Sequence, residues 1–565
     1  MRCIFPWRIF FIYFFGVLLF VSFVLPNHYQ PWLVAYQEFS IFLGCFFLAF
    51  TVLGWKQIYF DIPVAALLLL SVFPLVQYGF GVIYFFGDAF VAWSYIFGFG
   101  VLVLVGNNLA RSRGDSIVFF QVFAGAVLVA AVLSVWIALR QWLMLPGSIW
   151  VADLPLDMRP FANMAQPNNL ATLLCMGLAS VVYFYERSLF NACAASLVAV
   201  FLVFGVALTQ SRTPWVGFIV ISIFWLWKSR VYQARFAPKC MFFWVAGYAF
   251  CVLALPVLSD YLLLHSQGLL SRARSLERLD LWWQMWGAVW DGSLWGYGWN
   301  QVSVAQVVAT PNYPVRIFTE HSHNVLLDIL IWNGPILGVG IIGCIVFWVA
   351  GLGGRACSLE SLFSLIVVGL VVVHGMLEFP LEYAFFLFPV GVLLGFVSGE
   401  VAHGGAIRLP KWVMAGVLSL CAGLYAWVWG EYRVLEEDHR LMRFESSGVG
   451  EAINGEIVPN VILLTQLREL IRYVRTPASE GMSRQQLEWM RHVSYRYHSA
   501  SGLFRYTLAL GLNGFPEPAR ENLLIIRLLH GDKQYFEGVD AIKKMSSRYP
   551  QLMDLLTELP SDDDF

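Results

Sequence analysis

The sequence predicts an all-α polytopic membrane protein of about thirteen transmembrane helices, followed by a C-terminal α-helical soluble domain. Of its 565 residues, 59% are hydrophobic and only 13% are charged, which is too apolar for one soluble core. Apolar stretches recur from Ile9 to about Trp429, and a bilayer core needs roughly 20 apolar residues per helical span. We therefore expect most of the chain before residue 430 to face lipid.

The first apolar stretch is expected to remain in the membrane. It follows Arg2 and Arg8, but no small-residue cleavage site comes after it, so we interpret it as a retained helix rather than a signal peptide. The thirteen predicted spans cover residues 9–26, 37–54, 62–79, 89–109, 117–143, 167–186, 189–208, 214–227, 240–258, 324–350, 360–377, 383–400 and 411–429.

The distribution of basic residues predicts the orientation of these spans, because cytoplasmic loops are enriched in Lys and Arg. The short loops 27–36, 80–88 and 374–382 contain neither residue, which is typical of the outer side. If the N-terminus lies inside, the cytoplasmic turns hold Lys56, Arg111, Arg113, Arg187, Lys228, Arg230, Arg235, Lys239, Arg355, Arg408 and Lys411.

This orientation places four further regions on the outer side: the loop 144–166, the turn 209–213, the segment 259–323 and the chain after about residue 430. None of the nine cysteines falls in the predicted outer loops or the tail, so we do not expect disulfides to stabilise the exterior. The formal net charge of -1 gives no indication of a nucleic-acid partner.

The tail has a different pattern from the membrane region. The segments "NVILLTQLRELIRYV", "RQQLEWMRHVSYRYH" and "ARENLLIIRLLHGDKQYFEGVDAIKKM" space apolar residues at helical intervals. We predict a transmembrane domain over residues 1–430 and a soluble helical domain over 431–565. Successive helix pairs suggest TPR-like packing, although the tail has no clean consensus period.

The segment 259–323 is too long for a simple turn, so we expect it to have its own structure or a function. Within it, "RARSLERLDLWWQMWGAVW" is typical of an amphipathic, Trp-rich helix at the headgroup boundary. The glycines of "GSLWGYGWNQ" then predict a tight turn.

Two histidines stand at the start of the tenth predicted span, in "TEHSHNVLLDILIWNG" at 319–334. A histidine with a pKa near 6.5 is mostly neutral at neutral pH and can accept a hydroxyl proton, so His323 is a candidate general base. The alternative is that Ser322 or Asn324 caps the helix and His321 and His323 are merely interfacial. Spacing alone leaves both interpretations open.

Charged residues of the outer turns are further candidates. Arg212 of "LTQSRT" lies between two apolar spans, and its planar guanidinium suits phosphate oxygens. Glu378 and Glu382 of "HGMLEFPLEY" stand in a loop without a basic residue. Structural ion pairing is the alternative interpretation for each.

An amide cluster lies at the start of the sixth span, where "RPFANMAQPNNLATLL" contains Gln166, Asn168 and Asn169. Amides both donate and accept hydrogen bonds, which suits sugar hydroxyls or lipid headgroups. Helix capping explains one asparagine but not the whole cluster.

We expect neither a metal nor another cofactor. His321 and His323 share a face only in an extended segment, and two nitrogens are too few for a typical zinc site. The sequence has no HExxH spacing and no cysteine partner beside them.

Five motifs together resemble a known family. The stretches "RPFANMAQPNNLATLL", "ALTQSRTPWVG", "WGYGWNQ", "HSHNVLLDILIWNGPILG" and "HGMLEFPLEYAFFLFP" are similar to those of the bacterial protein O-oligosaccharyltransferases of the pilin-glycosylation ligase type, in the O-antigen ligase and polymerase superfamily. The resemblance covers nearly all of the membrane region, whereas the tail matches less clearly. Members of this superfamily are described as metal-independent.

The resemblance implies transfer of a preassembled glycan from an undecaprenyl-pyrophosphate carrier to Ser or Thr hydroxyls of exported proteins such as pilin. It implies a Gram-negative inner-membrane enzyme whose active site and tail face the periplasm. By motif, His323 matches the essential loop histidine, Arg212 the arginine of the external turn and Tyr383 the tyrosine after "LEFPL". His321 lies one position outside the "HN" core.

The chemistry of the residues fits that implication. Guanidinium groups of Arg212, Arg278 or Arg316 would stabilise the pyrophosphate leaving group. His323 would take the acceptor proton during an attack that inverts the anomeric centre. The residues that we expect to bind substrate are Gln166, Asn168, Asn169, Arg278, Arg316, Asn324 and Glu378.

Other activities remain open at this level. Within the superfamily, the alternatives are a ligase that uses lipid A core as acceptor and a polymerase that extends the glycan on its carrier. A transporter is disfavoured because the spans have no obvious inverted repeat and few mid-membrane charges. A purely structural role, in which the tail docks export partners, is a further alternative. The identity of the acceptor discriminates among the enzymes.

Overall fold

The chain is almost entirely helical. The computed structural model describes residues 7–155, 158–262, 264, 277–401, 407–449 and 457–557. Within these ranges, the regular strands are Ile58–Phe60 (β1) and Ile407–Leu409 (β2), which pair antiparallel with Tyr59 opposite Arg408. The predicted all-α class is therefore confirmed.

The helices begin and end as follows. They are α1 (Trp7–Val24), α2 (Ala35–Phe50), α3 (Ile62–Gly79), α4 (Phe86–Leu109), α5 (Arg113–Trp142), α6 (Pro167–Glu186), α7 (Ala192–Leu208), α8 (Thr213–Tyr232), α9 (Lys239–Tyr261), α10 (Glu277–Asp291), α11 (Val302–Ala309), α12 (Val325–Arg355), α13 (Leu359–Gly375), α14 (Ala384–Val401), α15 (Lys411–Ser446), α16 (Thr465–Arg475), α17 (Arg484–Arg496), α18 (Ala500–Leu512), α19 (Pro516–His530), α20 (Asp532–Ser546) and α21 (Met553–Leu556). Short 3-10 turns lie at Thr51–Gly54, Pro380–Glu382 and Pro550–Leu552.

Each of the thirteen predicted spans coincides with a helix, from α1 to α9 and from α12 to α15. Among the described residues, ten helices are long and apolar enough to cross a membrane by length and composition. These are α1 to α6, α9, α12, α14 and α15, whereas α7 and α13 are apolar but shorter. The chain is thus a multi-pass membrane protein, but a count of thirteen spans is not confirmed.

Two predicted spans differ in detail from the helices. The last span was predicted to end at residue 429. The helix α15 contains no proline and continues without a break to Ser446. The tenth is kinked at Gly334, which has a φ of 75°. The next residue, Pro335, has no backbone N–H to continue the helical hydrogen bonds. A Cβ at Gly334 would lie 2.0 Å from the carbonyl oxygen of Leu294, so only glycine fits this kink.

The described helices divide into two compact units. The first comprises Met1–Ser71, Tyr95–Arg274 and Ile345–Trp427. Its hydrophobic core is formed by buried aliphatic and aromatic side chains of the membrane helices, such as Phe119, Phe120 and Phe386. This unit contains the predicted turn 209–213 and the "HGMLEFPLEY" loop.

The second unit comprises Val72–Ser94, Ser275–Cys344 and Val428–Phe565. It therefore groups the tail helices with the long segment that precedes the histidines. Within that segment, α10 buries Leu281 and Met285 and exposes Trp283 and Trp290, so the predicted Trp-rich amphipathic helix is present from Glu277. Residues 272–276 of the predicted helix lie outside the described residues.

In the first unit, a glycine stripe on α14 lets it approach α4 closely. Gly391, Gly395 and Gly399 recur every fourth residue on one face of α14. A Cβ at Gly395 would lie 2.2 Å from the Val103 carbonyl oxygen, and one at Gly399 would lie 2.3 Å from that of Asn107. Small residues at this spacing allow membrane helices to pack backbone to backbone.

Replacing the central glycine is expected to destabilise this crossing. Gly395→Leu forces α4 and α14 apart, and overpacking of this kind costs about 1 to 3 kcal/mol or more. Gly423→Leu in α15 is the matched control, because a Cβ at Gly423 would meet nothing within 4 Å. Thermal unfolding of detergent-purified protein should show a lower melting temperature for Gly395→Leu alone. Equal melting temperatures in the two variants would contradict the packing role.

Candidate functional site

In the first unit, a buried carboxylate organises the predicted amide cluster. Glu378 is only 3% exposed, and its carboxylate accepts hydrogen bonds from Asn168 Nδ2 at 2.9 Å and from Gln166 Nε2 at 3.3 Å. Both amides lie at the N-terminus of α6, where the helix dipole favours a negative charge. These bonds are a direct contact between α6 and the "HGMLEFPLEY" loop.

The same asparagine connects α6 to the turn 209–213. The Ser211 hydroxyl donates to Asn168 Oδ1 at 2.6 Å. Arg159 Nη1 donates to the carbonyl oxygens of Gln210 at 3.2 Å and Thr209 at 3.4 Å. These bonds fix the turn from both sides. Arg212, near the end of the turn, is exposed and is the N-cap residue of α8.

Tyr383 is held at the start of α14. Its ring stacks on Phe385, with centroids 5.1 Å apart, and its hydroxyl hydrogen-bonds the side chain of Asn169. Both oxygens of the buried Glu38 carboxylate accept from the Ala384 backbone N–H at 3.0 Å. Burial raises the pKa of the Tyr383 hydroxyl, so it is neutral and able to donate a hydrogen bond at physiological pH.

Two side chains of this cluster were not predicted as site residues. Arg159 fixes the turn 209–213, and the His374 ring hydrogen-bonds the Thr172 hydroxyl at 2.9 Å. Both lie at the first position of a quoted motif, "RPFANMAQPNNLATLL" and "HGMLEFPLEY". A basic or titratable residue at the edge of a polar motif was the signal that could have found them.

In the second unit, Asn324 caps the start of α12. Asn324 Oδ1 accepts from the backbone N–H groups of Leu326 at 3.0 Å and Leu327 at 3.3 Å. The Ser322 N–H donates to Asp328 Oδ1 at 2.9 Å, and the Ser322 hydroxyl donates to the Asn324 carbonyl at 2.9 Å. Asn324 thus caps α12 and Ser322 is fixed beside it, in agreement with the capping interpretation for these two residues.

His323 lies between these capping residues in a strained conformation. Its φ of 58° is in the left-handed region, which side chains other than glycine rarely occupy. Its side chain is half-buried. Strain of this kind persists only where the surrounding contacts over-determine the backbone, and it concentrates at functional sites.

His321 has a different environment. Its backbone is tied to the Thr319 hydroxyl, which donates to the His321 carbonyl at 2.6 Å and accepts from its N–H at 3.2 Å. Burial lowers the pKa of His321 to about 3, with smaller contributions from His323 and Arg496. His321 is therefore neutral across the physiological range.

The remaining predicted arginines lie in the second unit. Arg278 is half-buried in the first turn of α10. Arg316 is exposed and donates from Nη2 to Asp532 Oδ2 at 2.8 Å. Of the predicted site residues, the first unit contains Gln166, Asn168, Asn169, Arg212, Glu378 and Tyr383, and the second contains Arg278, Arg316, His323 and Asn324.

Backbone strain marks the predicted motifs independently of their side chains. Among the described residues, eight other than glycine have a positive φ, and five of them lie in motifs quoted above. These five are Ala162, Ala165, Gln210, Asn300 and His323. Sequence reasoning did not predict them, because alanine and glutamine rarely adopt this region and the enrichment of asparagine and histidine there is too weak to locate single positions.

Three family models match consecutive parts of the chain. Protein glycosylation ligase matches residues 160–185, O-antigen ligase matches 197–347, and virulence factor membrane-bound polymerase, C-terminal, matches 362–542. The first two matches contain the amide cluster of α6, the turn 209–213 and the histidine loop. The third contains the "HGMLEFPLEY" loop and most of the tail.

Two relatives from Acinetobacter baylyi are similar to almost the whole chain. One, a general O-oligosaccharyltransferase, is 29% identical over 91% of this chain and 91% of its own length. The other, a ComP-specific O-oligosaccharyltransferase, is 27% identical over 86% of this chain and 88% of its own length. No solved structure matches the chain. By these similarities the chain is a glycosyltransferase of the oligosaccharyltransferase type, similar over nearly its whole length to O-oligosaccharyltransferases and in part to O-antigen ligase.

Proposed function

We propose that the enzyme transfers a preassembled glycan from an undecaprenyl-pyrophosphate carrier to Ser or Thr hydroxyls of exported proteins such as pilin. The observation that carries this proposal is the position of His323, a half-buried imidazole in a strained loop beside Asn324, the cap residue of α12. The similarity to two O-oligosaccharyltransferases supports the reaction class. The enzyme is a multi-pass membrane protein, and we propose that it lies in the Gram-negative inner membrane.

In this mechanism, His323 is the general base. Its imidazole takes the proton of the acceptor hydroxyl while the oxygen attacks the anomeric carbon of the glycan. The bond from that carbon to the pyrophosphate oxygen breaks on the opposite face, so the configuration inverts. General-base assistance of this kind contributes about 10² to 10⁴-fold in rate.

Arg212 is the proposed pyrophosphate ligand. Its exposed guanidinium follows a turn that Ser211 and Arg159 hold in place, so it is presented from a fixed backbone. Two parallel N–H donors suit the growing charge of the leaving group. Arg278 is a further candidate, whereas Arg316 would have to exchange its ion pair with Asp532 for the substrate.

The Glu378 cluster is the proposed sugar-binding surface. Gln166, Asn168 and Asn169 combine donors and acceptors, and the neutral Tyr383 hydroxyl adds a further polar group beside Asn169. Carboxylates and amides together match the alternating donors and acceptors of sugar hydroxyls. No step of this mechanism requires a metal ion or another cofactor.

We further propose that residues 1–430 form the membrane domain that carries this site. Residues 431–565 are the proposed periplasmic helical domain, and the bias of Lys and Arg toward one set of short loops supports this orientation.

A second candidate function has specific support from two family regions. The matches to O-antigen ligase and to a membrane-bound polymerase favour transfer to lipid A core or to a carrier-linked glycan. The chemistry at the anomeric carbon is the same in all three reactions, so only the acceptor differs. The near full-length similarity to O-oligosaccharyltransferases favours a protein acceptor.

Removing the proposed base should abolish most transfer without unfolding the protein. His323→Ala in cells that supply one lipid-linked glycan should lower the glycosylated fraction of exported protein by about 10²-fold or more, measured by intact-mass analysis. His323→Gly is the matched variant, because glycine accepts a φ of 58° without strain. Equal loss in both variants, at unchanged protein level in the membrane, assigns the effect to the imidazole. Wild-type glycosylation in either variant would contradict the base role.

Replacing Arg212 tests the geometry of the leaving-group contact. Arg212→Lys keeps the charge but loses the planar pair of donors, so the transfer rate should fall by about ten-fold or more. Arg230→Lys on the same helix, exposed near its C-terminus, is the control and should keep the wild-type rate. Full activity of Arg212→Lys would indicate that simple charge is sufficient.

A further inference from the structure

The C-terminal helices contact the segment that leads to the histidine loop, within the second unit. Arg496, the last residue of α17, accepts from the Ser303 hydroxyl at 2.9 Å through its carbonyl oxygen. Its guanidinium donates to Asp88 at 3.0 to 3.2 Å, and Asp88 is only 2% exposed. Buried ion pairs with several hydrogen bonds fix geometry, because losing either partner leaves an unpaired charge.

Gln306 in α11 joins the tail to the chain just before the histidines. Its Oε1 accepts from the Thr319 N–H at 3.1 Å and contacts His498 Nε2 at 2.8 Å. Its Nε2 donates to the Ile317 carbonyl at 2.7 Å and to Gln284 Oε1 at 3.0 Å. Since the amide nitrogen already serves as donor, Oε1 is the acceptor, and His498 must carry its proton on Nε2.

An aromatic stack strengthens the same junction. The Phe318 ring lies over the His498 ring, with centroids 4.5 Å apart and planes at 29°. The His530 ring donates from Nε2 to the His498 carbonyl oxygen at 2.8 Å, and its centroid lies 5.8 Å from that of Phe318. The Phe318 ring thus packs against two tail histidines, whereas Ile317 and Thr319 are bonded to Gln306, which His498 contacts.

The fixed segment is bonded directly to the histidine loop. The Thr319 hydroxyl contacts both the N–H and the carbonyl of His321, which stands two residues before His323. On the other side, Asn324 is fixed by the cap of α12. The strained His323 therefore lies between two anchors, and the one on its N-terminal side depends on the tail.

We propose that the C-terminal domain contributes to the transferase site. His498 of this domain is a positioning residue that holds the histidine loop in place through Gln306 and Thr319. This inference rests on the proposed base role of His323. His498 touches neither donor nor acceptor in this scheme. It acts by keeping the loop in the conformation that presents the imidazole, and displacements of about 1 Å at a reacting group can cost about 10²-fold in rate.

The test compares three variants of the full-length protein in detergent or nanodiscs, with a defined polyprenyl-pyrophosphate glycan and an exported acceptor protein. His498→Ala removes the donor and the ring, and should lower kcat by about 10 to 100-fold with KM values for both substrates nearly unchanged. His498→Gln restores an N–H donor at nearly the same reach and should recover most of kcat. Arg484→Ala, exposed at the start of α17, is the control and should keep wild-type kcat.

A further variant keeps the tail sequence intact. Thr319→Val removes only the hydroxyl that ties the anchored segment to His321, and should lower kcat in the same direction as His498→Ala. Wild-type kcat in His498→Ala or in Thr319→Val would overturn the proposal. It would also be overturned if His498→Gln had a kcat no higher than that of His498→Ala while the two variants had equal melting temperatures. If instead the wild type transfers no glycan, or His323→Ala matches it, the proposed function itself has failed.

Discussion

Polar groups at the ends of membrane helices must find hydrogen-bond partners within the protein, because hydrocarbon offers none. The buried Glu378 carboxylate illustrates this constraint. It is satisfied by two amides at the N-terminus of α6, and one of them, Asn168, also accepts from Ser211. A single desolvated carboxylate thus brings together α6, the turn after α7 and the loop after α13, and the proposed donor-binding residues follow from that association.

The same constraint acts at the histidine loop. Asn324 accepts from N–H groups at the start of α12, and Ser322 is fixed by Asp328. His323 occupies a strained position between these fixed neighbours. On the N-terminal side of the loop, the Gln306 side-chain oxygen accepts hydrogen bonds from Thr319 and from His498 of the tail. A base on a rigid loop does not have to be ordered during the reaction.

Hydropathy was sufficient to predict the helices, because lipid exposure requires long apolar runs. It could not predict that α15 continues to Ser446, because solvent-exposed helical turns do not contain a long apolar run. Hydropathy and the distribution of Lys and Arg predicted Glu378 and Arg212 in outer turns and Asn168 at the start of the sixth span, but their partners depend on long-range packing. The left-handed backbone of His323 was also not predicted, because even the residue types enriched in this region adopt it in only a minority of cases. Local patterns thus predicted the elements and the candidate residues, whereas their contacts required the tertiary structure.

The most direct test of the central claim supplies the purified enzyme with one polyprenyl-pyrophosphate glycan and offers three acceptors side by side. These are an exported protein with accessible Ser and Thr residues, lipid A core, and a second carrier-linked glycan. The account predicts that intact-mass analysis finds one whole glycan added to the protein, on a hydroxyl side chain and with inverted anomeric configuration. Glycan found only on lipid A core, or only lengthened on its carrier, would contradict it.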